Sequence, residues 1–170
     1  MDLQKMSRFW GDMEKATENG PEERAAVIAE LEKFIAGHST CALATADLEG
    51  FVRCTPVDYV FMDKKFWILT EGGLKFRGLA VNSNVSVAVF DQFTGFDSLA
   101  GLQIMGTAEV VDPYSEEYLS LMKFRGTPPE RVEKLQKFLN LVKITPSRYI
   151  FLCSALKKQG YKARQVLEEL

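Results

Sequence analysis

A short stretch between two apolar segments has the composition of an anion-binding turn. Thr70 is followed by Gly72 and Gly73, and the cations Lys75 and Arg77 come directly after them. Successive main-chain N–H groups around glycines can point into one concavity and hold a phosphate, and a helix that begins there adds the positive end of its dipole. The same residues also form an ordinary glycine turn followed by surface cations, so the spacing alone leaves both interpretations open.

Other catalytic arrangements have little support. The single histidine, His38, follows Gly37 at the end of a predicted helix, where its expected role is to interact with the last carbonyl groups. A Ser–His–Asp or Cys–His arrangement would have to use His38, and no oriented third member is visible beside Cys41. The sequence contains no HExxH, GxSxG, Walker or GxGxxG pattern. We therefore assign no catalytic residue, and expect an enzyme of this sequence to take its reactive group from a cofactor.

The cysteines and the overall charge limit the class of protein. Cys41, Cys54 and Cys153 are odd in number and share no CxxC spacing, so we expect buried reduced thiols and no disulfide framework or zinc site. A formal net charge of -2 gives no bulk attraction for nucleic acid or an anionic membrane. No apolar run reaches the roughly 18 residues that span a bilayer, and the charged N-terminus is no signal peptide. We expect a cytoplasmic protein without nucleic-acid or membrane partners.

The elements around the glycine turn are predicted from periodicity. The N-terminal segment predicts one helix over 1–19 and a second that begins at Pro21 and stops at Gly37, after which the apolar period changes from 3.6 to 2. Pro56 removes a ladder donor, so its strand lies at a sheet edge or carries a bulge there. The predicted strands are 39–46, 51–61, 66–70, 85–90, 101–111 and 147–153, and the later helices are 75–81, 115–123, 127–141 and 163–170.

This order of elements indicates the fold class. The first three strands have no helices between them, which argues against a doubly wound fold. Antiparallel strands joined by tight turns, with helices at the ends and in one crossover, predict an α+β protein whose sheet curls into a small barrel. We expect one domain over residues 1–170, with N-terminal helices in 1–37, the barrel core in 39–111, and helices plus the last strand in 112–170.

Three segments resemble a known family in order and spacing. They read CALATADLEGFVRCTPVDYVF, KKFWILTEGGLKFRGLAVNSNVSVAVFD and GLQIMGTAEVVD, and together they run from Cys41 to about Val111. The sequence resembles the pyridoxamine 5′-phosphate oxidase-like, FMN-binding split-barrel proteins, within the group of general stress proteins and small flavin reductases. The resemblance implies a six-stranded antiparallel split β-barrel with flanking helices, FMN as cofactor, and a homodimer with FMN between the subunits.

The resemblance also implies which residues bind the flavin. Main-chain groups along the ring would come from Thr55, Pro56, Val57 and Asp58. A partner subunit would contribute a residue near Gln103 or near Tyr161 and Arg164. The residues implied for the FMN phosphate are Arg53, Thr70, Gly73, Leu74 and Lys75.

The sequence departs from the oxidase at several positions. Gly73 and Leu74 stand where the oxidase has a serine and an arginine, and its strand glutamine aligns with Gly101. Residues that would bind a substrate phosphate have no convincing match. We therefore expect an FMN-dependent oxidoreductase that acts on a small molecule and is not a true pyridoxamine phosphate oxidase. The alternatives are a non-catalytic flavin- or haem-binding or sensing protein, whose haem version would use His38 as its axial ligand, and a structural dimer with an emptied pocket.

Overall fold

The computed structural model describes residues 2–13, 15–132 and 139–170. The α-helices are α1 Leu3–Asp12, α2 Pro21–Ala36, α3 Lys75–Leu79, α4 Glu116–Phe124, α5 Pro129–Val132 and α6 Ser154–Lys158. The strands are β1 Thr40–Ala46, β2 Val52–Asp58, β3 Val60–Met62, β4 Lys65–Thr70, β5 Asn84–Phe90, β6 Ala100–Val111, β7 Asn140–Cys153 and β8 Arg164–Leu167. All eight strands belong to one antiparallel sheet in the order β2-β1-β5-β6-β7-β4-β3, with β8 paired to β7.

The sheet curls about its two longest strands. β7 pairs with β6 along most of its 14 residues, with β4 near its start and with β8 near its end. The register shifts between Met105 and Gly106, where a Cβ added to Gly106 would lie 2.4 Å from the carbonyl oxygen of Thr145. Only glycine fits so close an approach, and such irregularities bend strands. The curled antiparallel sheet with flanking helices confirms the predicted α+β split barrel.

Alternating burial places the main core inside the curl. Leu43, Val87 and Ile104 occupy inward positions on β1, β5 and β6 and are fully buried, while their neighbours along each strand are more exposed. Helix α2 covers this core with Val27, Leu31 and Ile35, spaced at helical period. A second, smaller cluster includes Trp67, Leu141 and the α4 residues Tyr118 and Leu121.

The predicted strand 51–61 forms two strands. β2 ends at Asp58, and Tyr59 turns inward, where its N–H donates to the carbonyl of Ser39 at 2.9 Å. The Tyr59 hydroxyl donates to the carbonyl of Ile35 at 2.8 Å, which fixes the break against the end of α2. β2 is the terminal strand of the sheet path, which confirms the edge position indicated by Pro56.

The C-terminal third differs most from the sequence prediction. The helix predicted over 163–170 is wrong, because Arg164–Leu167 is strand β8 and pairs with β7. The last predicted strand, 147–153, begins earlier at Asn140, so the helix predicted over 127–141 cannot reach its predicted end. Its described part is α5, and residues 133–138 lie outside the described residues. These changes, with the break at Tyr59, turn the six expected strands into eight.

The N-terminal segment was predicted as a helix over 1–19. The helix α1 ends at Asp12, so the prediction is wrong over residues 15–19, which are not helical. Met1 and Glu14 lie outside the described residues. Across the described ranges, no helix combines the length and apolar character needed to cross a membrane.

Candidate functional site

The glycine turn after β4 has the backbone that the sequence suggested. Gly72 and Gly73 have φ values of +128° and +106°, in the region that favours glycine. The hydroxyl of Thr70 lies 3.4 Å from the main-chain nitrogen of Gly72, and the amide of Asn140 lies 3.4 Å from the Thr70 carbonyl. Helix α3 starts directly afterwards, so the turn leads into a helix N-terminus.

Lys75 is buried at the start of this helix. Its side chain is only 5% exposed, and its Nζ donates a hydrogen bond to the carbonyl of Gly72. Burial lowers the pKa of the Lys75 ammonium, and none of the described carboxylates forms an ion pair with it. Because a buried cation is costly without a compensating charge, Lys75 is suited to an anionic ligand.

Arg53 is the second under-satisfied cation of the site. It lies on β2, half-buried, and its Nε is buried without a hydrogen-bond partner in the described part of the chain. Most buried donors in folded proteins have a partner, since leaving one unpaired costs about 1–3 kcal/mol. The guanidinium of Arg53 therefore has an unused donor that a ligand can satisfy.

The fold brings the Arg53 strand and the Lys75 helix to the same end of the barrel. Arg53 is the register partner of Thr45 on β1. A Cβ added to Gly78 on α3 would lie 3.1 Å from the Thr45 Cβ, so α3 packs directly on this part of β1. β2 leads into β3, which pairs antiparallel with β4, so Arg53 and Thr70 both lie at the strand ends opposite the β3–β4 turn. Arg53, Lys75 and the glycine turn thus lie at the same end of the barrel.

Two neighbouring residues contribute less than the sequence suggested. The Arg77 guanidinium, a candidate source of positive charge, lies 2.8 Å from the Asp47 carboxylate and 5.0 Å from the centroid of the Phe51 ring. It is therefore engaged by the β1–β2 turn. The side chain of Leu74 is 65% exposed and apolar, so only its main chain can serve an anion.

The strand implied to follow the flavin ring presents two different faces. Thr55 and Val57 are half-buried on the same side as Arg53, and Val57 packs against the core. Cys54, Pro56 and Asp58 alternate with them and are exposed. Asp58 pairs with Arg125 at 3.3 Å. Because residues of an antiparallel strand point their main-chain groups alternately toward and away from the paired strand, a ligand along the free edge of β2 can meet main-chain groups of alternate ring residues only.

Two of the residues implied for a partner subunit lie together on the outer surface of the barrel. Gln103 and Arg164 line a groove of about 280 Å³ across β5 to β8, next to Phe90 and Leu152. Tyr161 lies outside this groove lining. The outward positions of β1 and β5 carry small side chains at Ala42, Ala44 and Ala88. This surface combines apolar side chains with the polar groups of Gln103 and Arg164.

His38 is held by two acceptors. Its Nδ1 lies 2.7 Å from the carbonyl oxygen of Phe34, and its Nε2 lies 2.8 Å from the Asp91 carboxylate. Neither ring nitrogen is free to take a proton from a nucleophile or to ligate an iron without breaking one of these contacts. The interaction with the end of α2 agrees with the sequence expectation. Asp91 was not anticipated, since it lies 53 residues away in the chain.

The thiols differ in exposure. Cys41 and Cys153 are buried free cysteines, and burial raises the pKa of the Cys41 thiol to about 12. Cys54 is exposed on β2, so the expectation of a buried thiol is wrong there. Within the described ranges no cluster of three or more His, Cys, Asp or Glu side chains could hold a metal ion.

Comparisons with known proteins agree with this architecture. A family model described as pyridoxamine 5′-phosphate oxidase matches residues 27–153. A search of the curated proteins found no match. Among solved structures, the haem storage protein HutZ from Vibrio cholerae is 22% identical, with a TM-score of 0.57 and coverage of 69% of this chain and 88% of HutZ.

Two further structures share the fold. A protein from Clostridium acetobutylicum related to general stress protein 26 is 17% identical, with a TM-score of 0.58 and coverage of 82% of this chain and 92% of that protein. An FAD-binding protein from Mesorhizobium loti is 16% identical, with a TM-score of 0.57 and coverage of 72% and 89%. At these identities the likeness shows a common fold and leaves the ligand open.

Proposed function

The chain belongs to the pyridoxamine 5′-phosphate oxidase family, and from that premise we propose that it is an FMN-binding flavoprotein. Its function would be that of a cytoplasmic FMN-dependent oxidoreductase acting on a small molecule other than pyridoxamine phosphate. Residues 1–170 would form one flavin-binding domain. Two observations at one end of the barrel carry the proposal. Within the described residues, the buried Lys75 has no carboxylate beside it and the buried Nε of Arg53 has no hydrogen-bond partner.

The FMN phosphate suits these groups chemically. A phosphate of charge near −2 is held by two or three cationic or N–H donors, and each hydrogen bond to a charged group contributes about 1.5–3 kcal/mol. Arg53 and Lys75 would supply the charge, Thr70 a hydroxyl, and Gly73 and Leu74 main-chain N–H groups. The Lys75 ammonium donates to the Gly72 carbonyl, so its side chain is long enough to reach the turn.

The flavin ring would lie along β2. Main-chain groups from Thr55 to Asp58 would orient it, and the apolar side chain of Val57 would exclude water from one side. Flavin supplies hydride and electron transfer when bound, so the chain needs to provide binding and orientation more than a catalytic base.

A second copy of the chain would complete the site. The outer groove holds Gln103 and Arg164, polar groups that a neighbouring subunit's ligand can use. The small side chains of Ala42, Ala44 and Ala88 allow another sheet face to approach closely. We therefore expect a homodimer, with Tyr161 a less direct contributor because it lies outside that groove lining.

A spectroscopic experiment tests the proposal. The purified protein should either show flavin absorbance in the visible range or acquire it on titration with FMN at micromolar concentration. Bound FMN should then be reduced by a nicotinamide nucleotide and reoxidised by a small acceptor. A protein that arrives colourless and binds no FMN at micromolar levels contradicts the proposal.

Haem or flavin binding without turnover is the second candidate. The structure of HutZ, described as a haem storage protein, has the same fold. A haem site that used His38 would have to break its contact with Phe34 or Asp91. A Soret band that appears on haem titration and shifts in His38→Ala would support this version. FMN binding with no turnover across nicotinamide donors and common acceptors would support flavin storage or sensing.

A further inference from the structure

Asp47 organises the turn that leads into the Arg53 strand. Its Oδ1 accepts hydrogen bonds from the main-chain nitrogens of Glu49 at 3.0 Å and Phe51 at 2.9 Å. Its own N–H donates to the Phe51 carbonyl at 3.2 Å. The backbone hydrogen bond from Phe51 is the main cause that holds the pKa of the Asp47 carboxyl below its usual value, so the group is ionised at neutral pH. The turn that precedes β2 is therefore built around one carboxylate.

The other oxygen of Asp47 holds helix α3. Arg77 Nη2 lies 2.8 Å from Asp47 Oδ2 and 3.5 Å from a carboxylate oxygen of Glu49. The same guanidinium stacks over the Phe51 ring. We call Asp47, Glu49, Phe51 and Arg77 the clasp. Every partner of Arg77 in the clasp belongs to the β1–β2 turn.

The clasp joins the two elements that carry the cations of the anion site. Arg77 is two residues after Lys75 on α3, and Phe51 is two residues before Arg53, at the start of β2. Helix α3 is also held by Gly78, which packs on Thr45 and Ala46 immediately before Asp47. A shift of α3 relative to the turn would therefore change the separation of Lys75 and Arg53.

We propose that Asp47 and Arg77 are positioning residues that set the separation of Lys75 and Arg53 for a phosphate group. The inference rests on the proposed function, since it assumes that the two cations bind the phosphate of FMN. Preorganised charges bind an anion more tightly, because the ligand does not have to draw the helix and the strand together. Glu49 is a weaker member, because its side chain is 85% exposed and its contact with Arg77 is longer.

The test compares two ligands that differ only in the phosphate. FMN and riboflavin are titrated by fluorescence quenching into the wild type, Arg77→Gln, Arg77→Lys and Asp47→Asn. The amide introduced by Asp47→Asn would still accept the turn hydrogen bonds through its oxygen but would lack the charge that holds Arg77. Arg148→Gln serves as the matched control, because Arg148 pairs with Glu168 on the β7–β8 side of the sheet.

The expected result is a loss that depends on the phosphate. Arg77→Gln and Asp47→Asn should weaken FMN binding by about tenfold, the equivalent of about 1.4 kcal/mol, while riboflavin binding changes by less than about twofold. Arg77→Lys should recover part of the FMN affinity because it keeps the charge opposite Asp47, and Arg148→Gln should match the wild type.

Three outcomes overturn the inference. If the variants bind FMN as the wild type does, the clasp does not position the site. If they lose FMN and riboflavin equally, the clasp supports the barrel as a whole and not the phosphate site. If the wild type binds neither flavin, the proposed function fails and the inference fails with it. The titration of the wild type alone distinguishes this result from the other two, in which the wild type binds FMN.

Discussion

The Nζ of Lys75 lies 3.6 Å from the position that a Cβ on Gly73 would occupy. The glycine turn and the buried ammonium are thus in direct contact, and each limits what the other can be. Gly73 has a φ of +106°, where an L side chain is strained.

Gly73→Ala should therefore affect both folding and the ligand. We expect a loss of about 1–3 kcal/mol in the free energy of unfolding from backbone strain, together with weaker FMN binding because relief of that strain would move the turn that Lys75 contacts. Urea denaturation and FMN titration measure the two effects. Gly126→Ala is the control, because Gly126 also has a positive φ of +78° but has no heavy atom within 4 Å of its added Cβ. Equal loss of FMN affinity in both variants would contradict the contact with Lys75.

Removing the ammonium should cost affinity for the phosphate. Lys75→Met keeps an apolar chain of similar length and should weaken FMN binding by about tenfold or more, since a hydrogen bond to a charged group contributes about 1.5–3 kcal/mol. Riboflavin binding should change little. Lys33→Met is the control, because Lys33 is exposed on α2 and pairs with Glu30. Unchanged FMN affinity in Lys75→Met would remove Lys75 from the site.

Without added FMN, the free energy of unfolding should depend on pH because of Lys75. Burial lowers the pKa of Lys75 below its ordinary value of 10.5, so between those two values the unfolded chain binds more protons than the folded protein. Stability contributed by this group therefore rises with pH in that window. Lys75→Met should gain most stability over the wild type at neutral pH, seen as a larger free energy of unfolding. This gain should shrink as the pH approaches 10.5. A difference that stays constant with pH would contradict the lowered pKa.

The close approach at the β6 irregularity predicts a large stability effect. Gly106→Ala would place a methyl group 2.4 Å from the Thr145 carbonyl oxygen, and backbone on both strands would have to move. We expect a loss of about 3 kcal/mol or failure to fold. Gly101→Ala, on the same strand, has its nearest contact at 3.8 Å and should be close to neutral. Thermal denaturation compares the two, and similar melting temperatures would contradict the packing described for Gly106.

The sequence predicted the barrel core better than the ends of the chain. Between Thr40 and Val111 the strands are short, largely apolar segments separated by clear turn residues, so segment length and turn chemistry agree. Segment 163–170 is rich in helix-forming residues, yet Gln165, Val166 and Leu167 are buried beside β7. Tertiary pairing outweighed helix propensity there, and a single sequence carries no signal of that pairing.

The candidate site could be predicted in its residue types and only partly in its arrangement. Thr70, the two glycines and Lys75 are close in sequence, so their turn is a local property. The engagement of Arg77 by Asp47 depends on how α3 packs against the β1–β2 turn. Spacing along the chain cannot distinguish a cation that faces a ligand from one that faces a carboxylate on a distant turn.

The position of β2 also affects how the protein behaves among other copies of itself. A terminal strand offers unpaired main-chain groups that a strand from another molecule can join, which is a common route to aggregation. Pro56 interrupts that edge, and β3, at the opposite end of the sheet path, is only three residues long. Both ends of the path thus carry features that discourage intermolecular strand addition. The terminal position leaves β2 open to a ligand, and the missing N–H of Pro56 makes the same strand a poorer template for aggregation.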